Sequence, residues 1–438
     1  MAANIYKPVL LDGVVDLADD PAPPAESLGA YRKRGGYRTI ERALATMTPE
    51  QVREVVKASG LRGRGGAGFP AGVKWAFLPD TTDLPIYLCC NGDESEPGAC
   101  KDRPIMEQRP HLLIEGIALS SYAIGCHLAF IYIRGEYYRA IEVMNQAIEE
   151  ARAVGIIGER VLGRDFALDI VVHSGAGAYV CGEESALLNS IEGRIGYPRL
   201  RPPFPAQIGL YGCPTIINNV ETLSSVVPIV ERGAEWFRSL GTEKSTGFKI
   251  FSVSGHAKRP GNYEAPMGIT LRHLIYDLAG GIRDGRALKA VIPGGSSVPI
   301  LTADRLDVQL SFEAVQEAGS LLGSASVIVL DETVCMVWAV RNMLHFYYHE
   351  SCGQCTPCRE GTGWLSQILE RLESGRGRPE DLELLETIPR QIVGRCICAL
   401  GDGACMPVRS AMDHFRQEFE QHIELGRCPF EKPYLEFR

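Results

Sequence analysis

The sequence predicts an α/β protein in three folded parts: an α/β domain, a small α+β module and a helical C-terminal region. Three observations carry this reading. Between residues 84 and 219, short apolar runs alternate with helical patterns, and polar residues gather where the runs end. From about residue 246 the texture changes to short strands around one helix. After residue 332 the pattern is helical and carries a dense cysteine run, His349–Gly361, HESCGQCTPCREG.

The chain has 438 residues, enough for about two or three domains with a substantial core. Its net charge of −9 argues against nucleic acid as the main partner. No apolar run reaches membrane-spanning length; the most apolar, 111–130, is broken by Glu115, Gly116, Gly125 and His127. Asp16, Asp19 and Asp20 argue against a transit peptide. Fourteen cysteines in such a chain read as reduced thiols plus metal ligands.

Residues 1–30 are acidic and proline-rich and read as an extended arm. Helices are expected at 37–46 and 49–59, the second opening on Thr48-Pro49-Glu50. LRGRGGAGFPAGVKW follows at 61–75. Gly63, Gly65 and Gly68 satisfy G-x-G-x-x-G but follow a helix, so the ordinary dinucleotide reading fails on context. What survives is a backbone on which a ligand can lie, with Arg62, Arg64 and Lys74 for charge and Phe69, Trp75 and Phe77 for flat surfaces.

A buried strand at 84–90 runs into NGDESEPG at 91–98, and ligands bind at such strand exits in open α/β sheets. A helix at 111–124, a strand at 128–133 and a helix at 137–153 come next. A third strand, 166–173, enters SGAGAYVCGEE and a helix through Ile191, a strand–glycine turn–helix order. Glu183 and Glu184 suit the helix dipole but would repel phosphate, so ribose hydroxyls fit better. Arg199, Arg201 and Phe204 add charge and an aromatic face, and a strand at 215–217 ends in Asn218, Asn219 and Thr222. A helix is expected over 225–240, and the module that follows carries no titratable cluster.

Cys352, Cys355 and Cys358 stand at C-x2-C-x2-C spacing, which wraps one face of a [4Fe–4S] cubane. Zinc more often takes two separated pairs, and three close cysteines cannot all pair as disulfides. Helices at 363–373 and 380–392 form a hairpin that returns the chain to Arg395–Leu400, RCICAL. Cys396 or Cys398 is therefore the fourth ligand, since alternation in an extended segment points only one inward. A helix at 408–425 completes the region, and the other nine cysteines read as small buried hydrophobes.

LRGRGGAGFPAGVKW, NGDESEPG, GAGAYVCGEESALLNSIEG with RPPFPAQIGLYG, and ESCGQCTPCREG together resemble the NADH-binding flavoprotein subunit of respiratory complex I, from about residue 30 to 435. The resemblance implies a Rossmann-like FMN and NADH domain at 31–244, a small β-grasp (ubiquitin-like) domain at 245–331 and a cluster-bearing four-helix bundle at 332–438. It implies FMN on Gly63, Arg64, Gly65 and Lys74, on Asn91, Asp93, Glu94 and Ser95, on Tyr179, Gly182 and Glu183, and on Asn218, Asn219 and Thr222. NADH would meet Glu96 at its carboxamide, Phe69, Phe77 and Phe204 at its adenine, and Glu184 and Arg201 at the adenosine ribose. The cluster ligands would be Cys352, Cys355, Cys358 and Cys398. Ser185 and Arg201 depart from the usual threonine and lysine but keep hydrogen-bonding character.

The implied activity is NADH oxidation by hydride transfer to FMN, with single electrons passed to the cluster, as electron input to a proton-translocating NADH:quinone oxidoreductase. Implied partners are a thioredoxin-like [2Fe–2S] subunit and a larger iron–sulfur subunit. The implied location is cytoplasmic, on the inner face of the cell membrane through the complex and without insertion. Diaphorase subunits of soluble NAD-linked hydrogenases or formate dehydrogenases share the motifs and are the alternative. Many of those carry fused extensions that are missing here, which favours the complex I reading.

Overall fold

The computed structural model describes residues 6–15 and 23–430. The acidic stretch around Asp16, Asp19 and Asp20 lies outside the described residues. The chain divides into two compact units, one of residues 1–95, 99–251 and 262–269, the other of 96–98, 252–261 and 270–438.

In the first unit, α1 (Leu28–Lys33), α2 (Arg38–Thr46), α3 (Pro49–Ser59) and α4 (Ala71–Trp75) precede the sheet. Helix α3 begins on a capping box in which Thr48 and Gln51 satisfy each other's backbone N–H groups. Strand β1 (Ile86–Gly92), α5 (Asp102–Gln108), α6 (Pro110–Ile124), β2 (Cys126–Ile133), α7 (Tyr138–Ala153) and β3 (Asp169–Ser174) follow. Then come α8 (Glu184–Ile191), β4 (Thr215–Asn219), α9 (Val220–Arg232) and α10 (Ala234–Arg238). The helix expected over 225–240 therefore starts five residues earlier, capped by the Asn219 side chain, and breaks at Gly233, whose φ is 91°.

The sheet is parallel throughout, in the order β3-β2-β1-β4. Its apolar strands need helical cover, and α6 supplies much of it: nearly every residue of α6 is buried. That explains the almost membrane-like stretch at 111–130. Gly116 lets α6 lie against α9, because a Cβ there would stand 2.2 Å from the Leu223 carbonyl oxygen. Glu115, the charge in that stretch, is buried and accepts from the Tyr31 hydroxyl (2.5 Å) and the Tyr37 backbone N–H (2.8 Å). It thereby ties α6 to α1 and α2.

Residues 6–15 are packed into this unit. Leu10 is fully buried, and the N–H groups of Val9, Leu10 and Leu11 donate to the buried Glu264 carboxylate at 2.7–2.8 Å. Residues expected in the small module also belong here: Lys249 is fully buried, and Met267 N–H donates to Gly247 at 2.9 Å.

The second sheet contains β5 (Phe248–Gly255), β6 (Gly261–Pro266), β7 (Leu288–Ile292), β8 (Leu301–Thr302) and β9 (Ser326–Asp331), in the order β6-β5-β9-β7-β8. The unit boundary cuts β5 and β6. In the second unit β5 runs parallel to β9 and β7 antiparallel to it. The one helix expected among these strands is a π-helical turn, His273–Leu278, and the module gains a further short helix, α11 (Phe312–Glu317).

Four helices close the chain: α12 (Met336–Glu350), α13 (Thr356–Glu373), α14 (Pro379–Ile392) and α15 (Leu400–Leu425). Helix α12 packs on α13 and α15, and α14 on the same two. Helix α13 begins at Thr356, among the cysteines, and α15 at Leu400, running through Pro407. Residues 396–399 form bends and a turn rather than an extended segment, so the alternation argument for choosing between Cys396 and Cys398 loses its premise. No helix among the described residues is long and apolar enough to cross a membrane.

Candidate functional site

The four polar stretches singled out in the first unit converge at the carboxyl ends of β1 and β4. The chain leaves β1 for β2 and β3 on one side, then returns to β4 on the other, so this pair of strand ends is the topological switch point. Asn91 and Asn219 are register partners there. The Asn91 amide donates to the Gly182 carbonyl (2.8 Å), which joins the second glycine turn to β1. Asp93 and Ser95 are linked by a 3.1 Å bond from the serine hydroxyl.

The glycine loop closes onto the same place. Gly63 N–H donates to Phe69 O (2.8 Å), and Arg64 N–H to the Thr222 hydroxyl (2.8 Å). A Cβ on Gly65 would stand 3.1 Å from the Asn219 side chain, whereas one on Gly66 would meet open space. Asn218 accepts from the Trp75 indole at 2.8 Å. The loop is therefore a main-chain surface braced from below by α4 and β4.

Two of the predicted carboxylates are already engaged. Glu94 accepts from the backbone N–H groups of Lys101, Asp102 and Arg103 at 2.8–3.2 Å and so holds the start of α5. Burial, then the nearby Asp102 charge, pushes its carboxyl up to about 7. Glu183 caps α8 through the N–H groups of Ser185 (3.0 Å) and Ala186 (3.1 Å). Tyr179 and Gly182 lie in the short 3-10 turn just before it.

Glu184, at the first position of α8, accepts from the Lys74 ammonium (2.6 Å) and the Arg201 guanidinium (3.0 Å). Burial opposes its charge, but Lys74 and Arg201 outweigh this and hold its carboxyl below the ordinary value of 4.5. Lys74 also donates to Ile217 O (2.8 Å). The rings of Phe69 and Phe77 lie 5.9 Å apart and are 46% and 48% exposed; Phe204 is 51% exposed. Large aromatic faces this open suit a flat ligand better than core packing.

Beneath the loop lies a charge network that the sequence did not reveal. Arg64, Lys101, Lys249 and Glu221 are all buried, with Lys101 to Glu221 at 3.0 Å, Lys249 to Glu221 at 3.7 Å and Lys101 to Asp102 at 2.8 Å. Lys249 donates to the Arg64 carbonyl at 2.9 Å, and Asn219 to Asp102 at 2.6 Å. Burial opposes the charge on Glu221, but Lys249, Lys101 and Arg64 outweigh it and hold the carboxyl low. Burial brings the Lys249 ammonium down to about 7 and the Arg64 guanidinium to about 10.

In the second unit, Glu96 accepts from Ser297 N–H (2.9 Å), the Ser296 hydroxyl (3.3 Å) and the Tyr347 hydroxyl (3.3 Å). The cysteine run wraps the N-terminus of α13, with Cys355 as its N-cap and Cys358 in its first turn. Ile397 N–H donates to Cys355 Sγ at 3.3 Å, which brings the returning turn onto the same site. Burial, then the Cys358 and Cys355 thiols, pushes Cys396 up to about 12. Cys398 also contributes to the electrostatics around Cys396.

Comparison with known proteins decides the family. Residues 56–228 match the Nuo51 FMN-binding domain, 338–422 the NADH-ubiquinone oxidoreductase-F iron-sulfur binding region, and 249–329 the SLBB domain. The F-type subunit of NADH-quinone oxidoreductase from Mycobacterium tuberculosis is 55% identical over 416 residues, covering 93% of both chains. The chain belongs to the family of F-type NADH-quinone oxidoreductase subunits. The F-type subunit numbered 2 of Rhizobium meliloti is 52% identical over 426 residues, covering 97% of this chain and all of its own. A crystal structure of an NAD+-reducing [NiFe]-hydrogenase is similar with a TM-score of 0.80 and 38% identity, covering 93% of this chain and 66% of that one. The hydrogenase reading thus has a structural neighbour at 38% identity, and the NADH-quinone oxidoreductase reading has relatives at 52% and 55%.

As a member of this family, the chain takes FMN and a [4Fe–4S] cluster as cofactors and NADH as substrate, and it feeds electrons into a respiratory complex. The residues that sequence reasoning missed in this F-type protein are Lys101, Asp102, Glu221 and Lys249. Each sits in a polar turn, a helix start or a strand, where a charge alone gives no sign of burial.

Proposed function

We propose that FMN lies on the Gly63–Gly68 loop at the ends of β1 and β4, and that Cys352, Cys355, Cys358 and Cys398 hold the [4Fe–4S] cluster. The switch point carries this reading, because it gathers the glycine loop, two strand ends and a second glycine turn around main chain with open space at Gly66. Gly63, Arg64 and Gly65 offer backbone, and Asn91, Asp93, Ser95, Asn218, Asn219 and Thr222 offer polar edges. Glu94 and Glu183 act through the turns they hold, and Tyr179 and Gly182 complete the rim. Lys74, tied to Glu184, bridges the flavin and nucleotide halves.

FMN supplies the conversion of a two-electron donor into single electrons, and the cluster accepts those electrons. The protein's own task is alignment and exclusion of water, since hydride transfer needs no general acid or base. Phe69, Phe77 and Phe204 hold the adenine, Glu184 and Arg201 the ribose, and Glu96 the carboxamide. For the cluster, Cys396 and Cys398 both lie in the turn whose Ile397 N–H donates to Cys355 Sγ. The match of Cys398, followed by Ala399-Leu400-Gly401, to the family's ligand position supports Cys398 as the fourth ligand.

The finer architecture belongs to the same proposal: β-grasp for the small sheet, a four-helix bundle for α12–α15. So do a thioredoxin-like [2Fe–2S] subunit and a larger iron–sulfur subunit as partners, and the inner face of the cell membrane as the location. The test uses the chain purified anaerobically with FMN and iron–sulfur cluster present. It should oxidise NADH with an artificial acceptor and reduce no quinone. Gly65→Val should empty the flavin site while iron content and helical circular dichroism persist. Retained FMN in that variant, or quinone reduction by the chain alone, would overturn the assignment.

A further inference from the structure

Two cysteines, a histidine and a glutamate outside the cluster ligand set meet at one point in the second unit. Cys335 is the N-cap of α12, Glu373 the last residue of α13, His422 lies in the last turn of α15, and Cys428 follows just beyond it. Their ligand atoms all lie within 4.8 Å of one another. Cys335 Sγ is 3.4 Å from His422 Nε2 and 3.9 Å from Glu373 Oε2, and His422 Nε2 is 3.5 Å from Glu373 Oε2. A tetrahedral centre with bonds of about 2.0–2.3 Å has ligand–ligand edges of about 3.3–3.8 Å, close to this spacing.

The surrounding groups point the same way. His422 is fully buried, and its Nδ1 donates to the Glu418 carbonyl at 2.6 Å, which leaves the Nε2 lone pair facing the other three side chains. Trp338 N–H donates to Cys335 Sγ at 3.4 Å, which offsets part of the burial that raises this thiol. Small buried cysteines usually fill apolar gaps, but Cys428 is only half-buried, and the space is shared with an imidazole and a carboxylate.

We propose that Cys335, Glu373, His422 and Cys428 bind one zinc ion. Two thiolates, an imidazole and a carboxylate are all donors that zinc takes in tetrahedral geometry. Four protein donors leave no open position, so the site is structural: it fastens the ends of α12, α13 and α15 to the C-terminal segment. Binding releases the thiol protons of Cys335 and Cys428 to solvent.

The experiment measures zinc and iron by mass spectrometry in the full chain purified anaerobically, with zinc K-edge absorption for the ligand shell. The expected result is about one zinc per chain beside about four irons, with two sulfurs near 2.3 Å and two lighter atoms near 2.0 Å. Cys428→Ser and Cys335→Ser should each lose the zinc and keep the iron and FMN. If a cysteine variant fails to fold, the wild-type shell and His422→Gln decide. A wild-type chain that takes up no zinc when offered one equivalent overturns the proposal. So does a shell of four sulfurs, which would put the zinc on the cluster cysteines, or a Cys335–Cys428 disulfide in the intact mass.

Discussion

Glu221→Gln removes one negative charge from a fully buried position while nearly keeping its shape. The wild-type carboxylate faces Lys101 at 3.0 Å and Lys249 at 3.7 Å, and its other oxygen accepts from the Ile250 N–H at 2.8 Å. Glutamine can still accept from Ile250, so the loss isolates the charge. Breaking a buried ion pair from one side costs about 3–5 kcal/mol, because the cations left behind are uncompensated. For a domain of this size that amounts to a fall in Tm of about 6–20 °C. Lys249 donates to the Arg64 carbonyl beneath the glycine loop, so FMN should be lost at temperatures well below the unfolding transition. The assay is a thermal melt of the full chain followed by circular dichroism and by flavin fluorescence. Lys249→Met in the same chain removes one unmatched cation and should recover part of the loss, a non-additivity that a double-mutant cycle measures. A Glu221→Gln chain with unchanged Tm and flavin release, or strictly additive behaviour with Lys249→Met, would refute the reasoning.

Three further outcomes are expected. Because its neighbouring cations hold Glu221 below the ordinary carboxylate value, its stabilising contribution is fully present above pH 4.5 and is lost as the pH falls through its lowered folded value; an acid titration of stability should lose this component in Glu221→Gln. Glu184→Gln should shift the ratio of kcat/KM toward NADPH by about tenfold or more, since a carboxylate at the ribose repels a 2′-phosphate and the freed Lys74 and Arg201 attract it. A ratio unchanged by the substitution would remove Glu184 from the ribose. Cys398→Ser should abolish the [4Fe–4S] electron paramagnetic resonance signal while Cys396→Ser retains it; the reverse pattern would exchange the two roles.

Much of the molecule was legible without its fold because the signals were local. The C-x2-C-x2-C spacing, the glycine-rich loop, the polar strand exits and the Thr48-Pro49 cap each lie within a few residues, where chain geometry is set by neighbours. Strand and helix existence followed from periodicity, although α9, α13 and α15 began earlier than expected. Those starts depend on Asn219 as a cap, on Cys355 at the turn around the thiols, and on a helix that accommodates Pro407. The burial of Lys101, Glu221 and Lys249 was settled only when the start of α5, α9 and β5 came together, because a charge is admitted to a core only by partners that are distant in sequence. Residues 6–15 likewise looked like part of an arm until Glu264, more than 250 residues away, offered a carboxylate to three consecutive N–H groups. The sequence by itself determined the family, the cofactor classes and the cluster spacing. The tertiary structure decided which charges are buried together and where Cys335, Glu373, His422 and Cys428 meet, since pairing across long stretches of chain leaves no periodic trace.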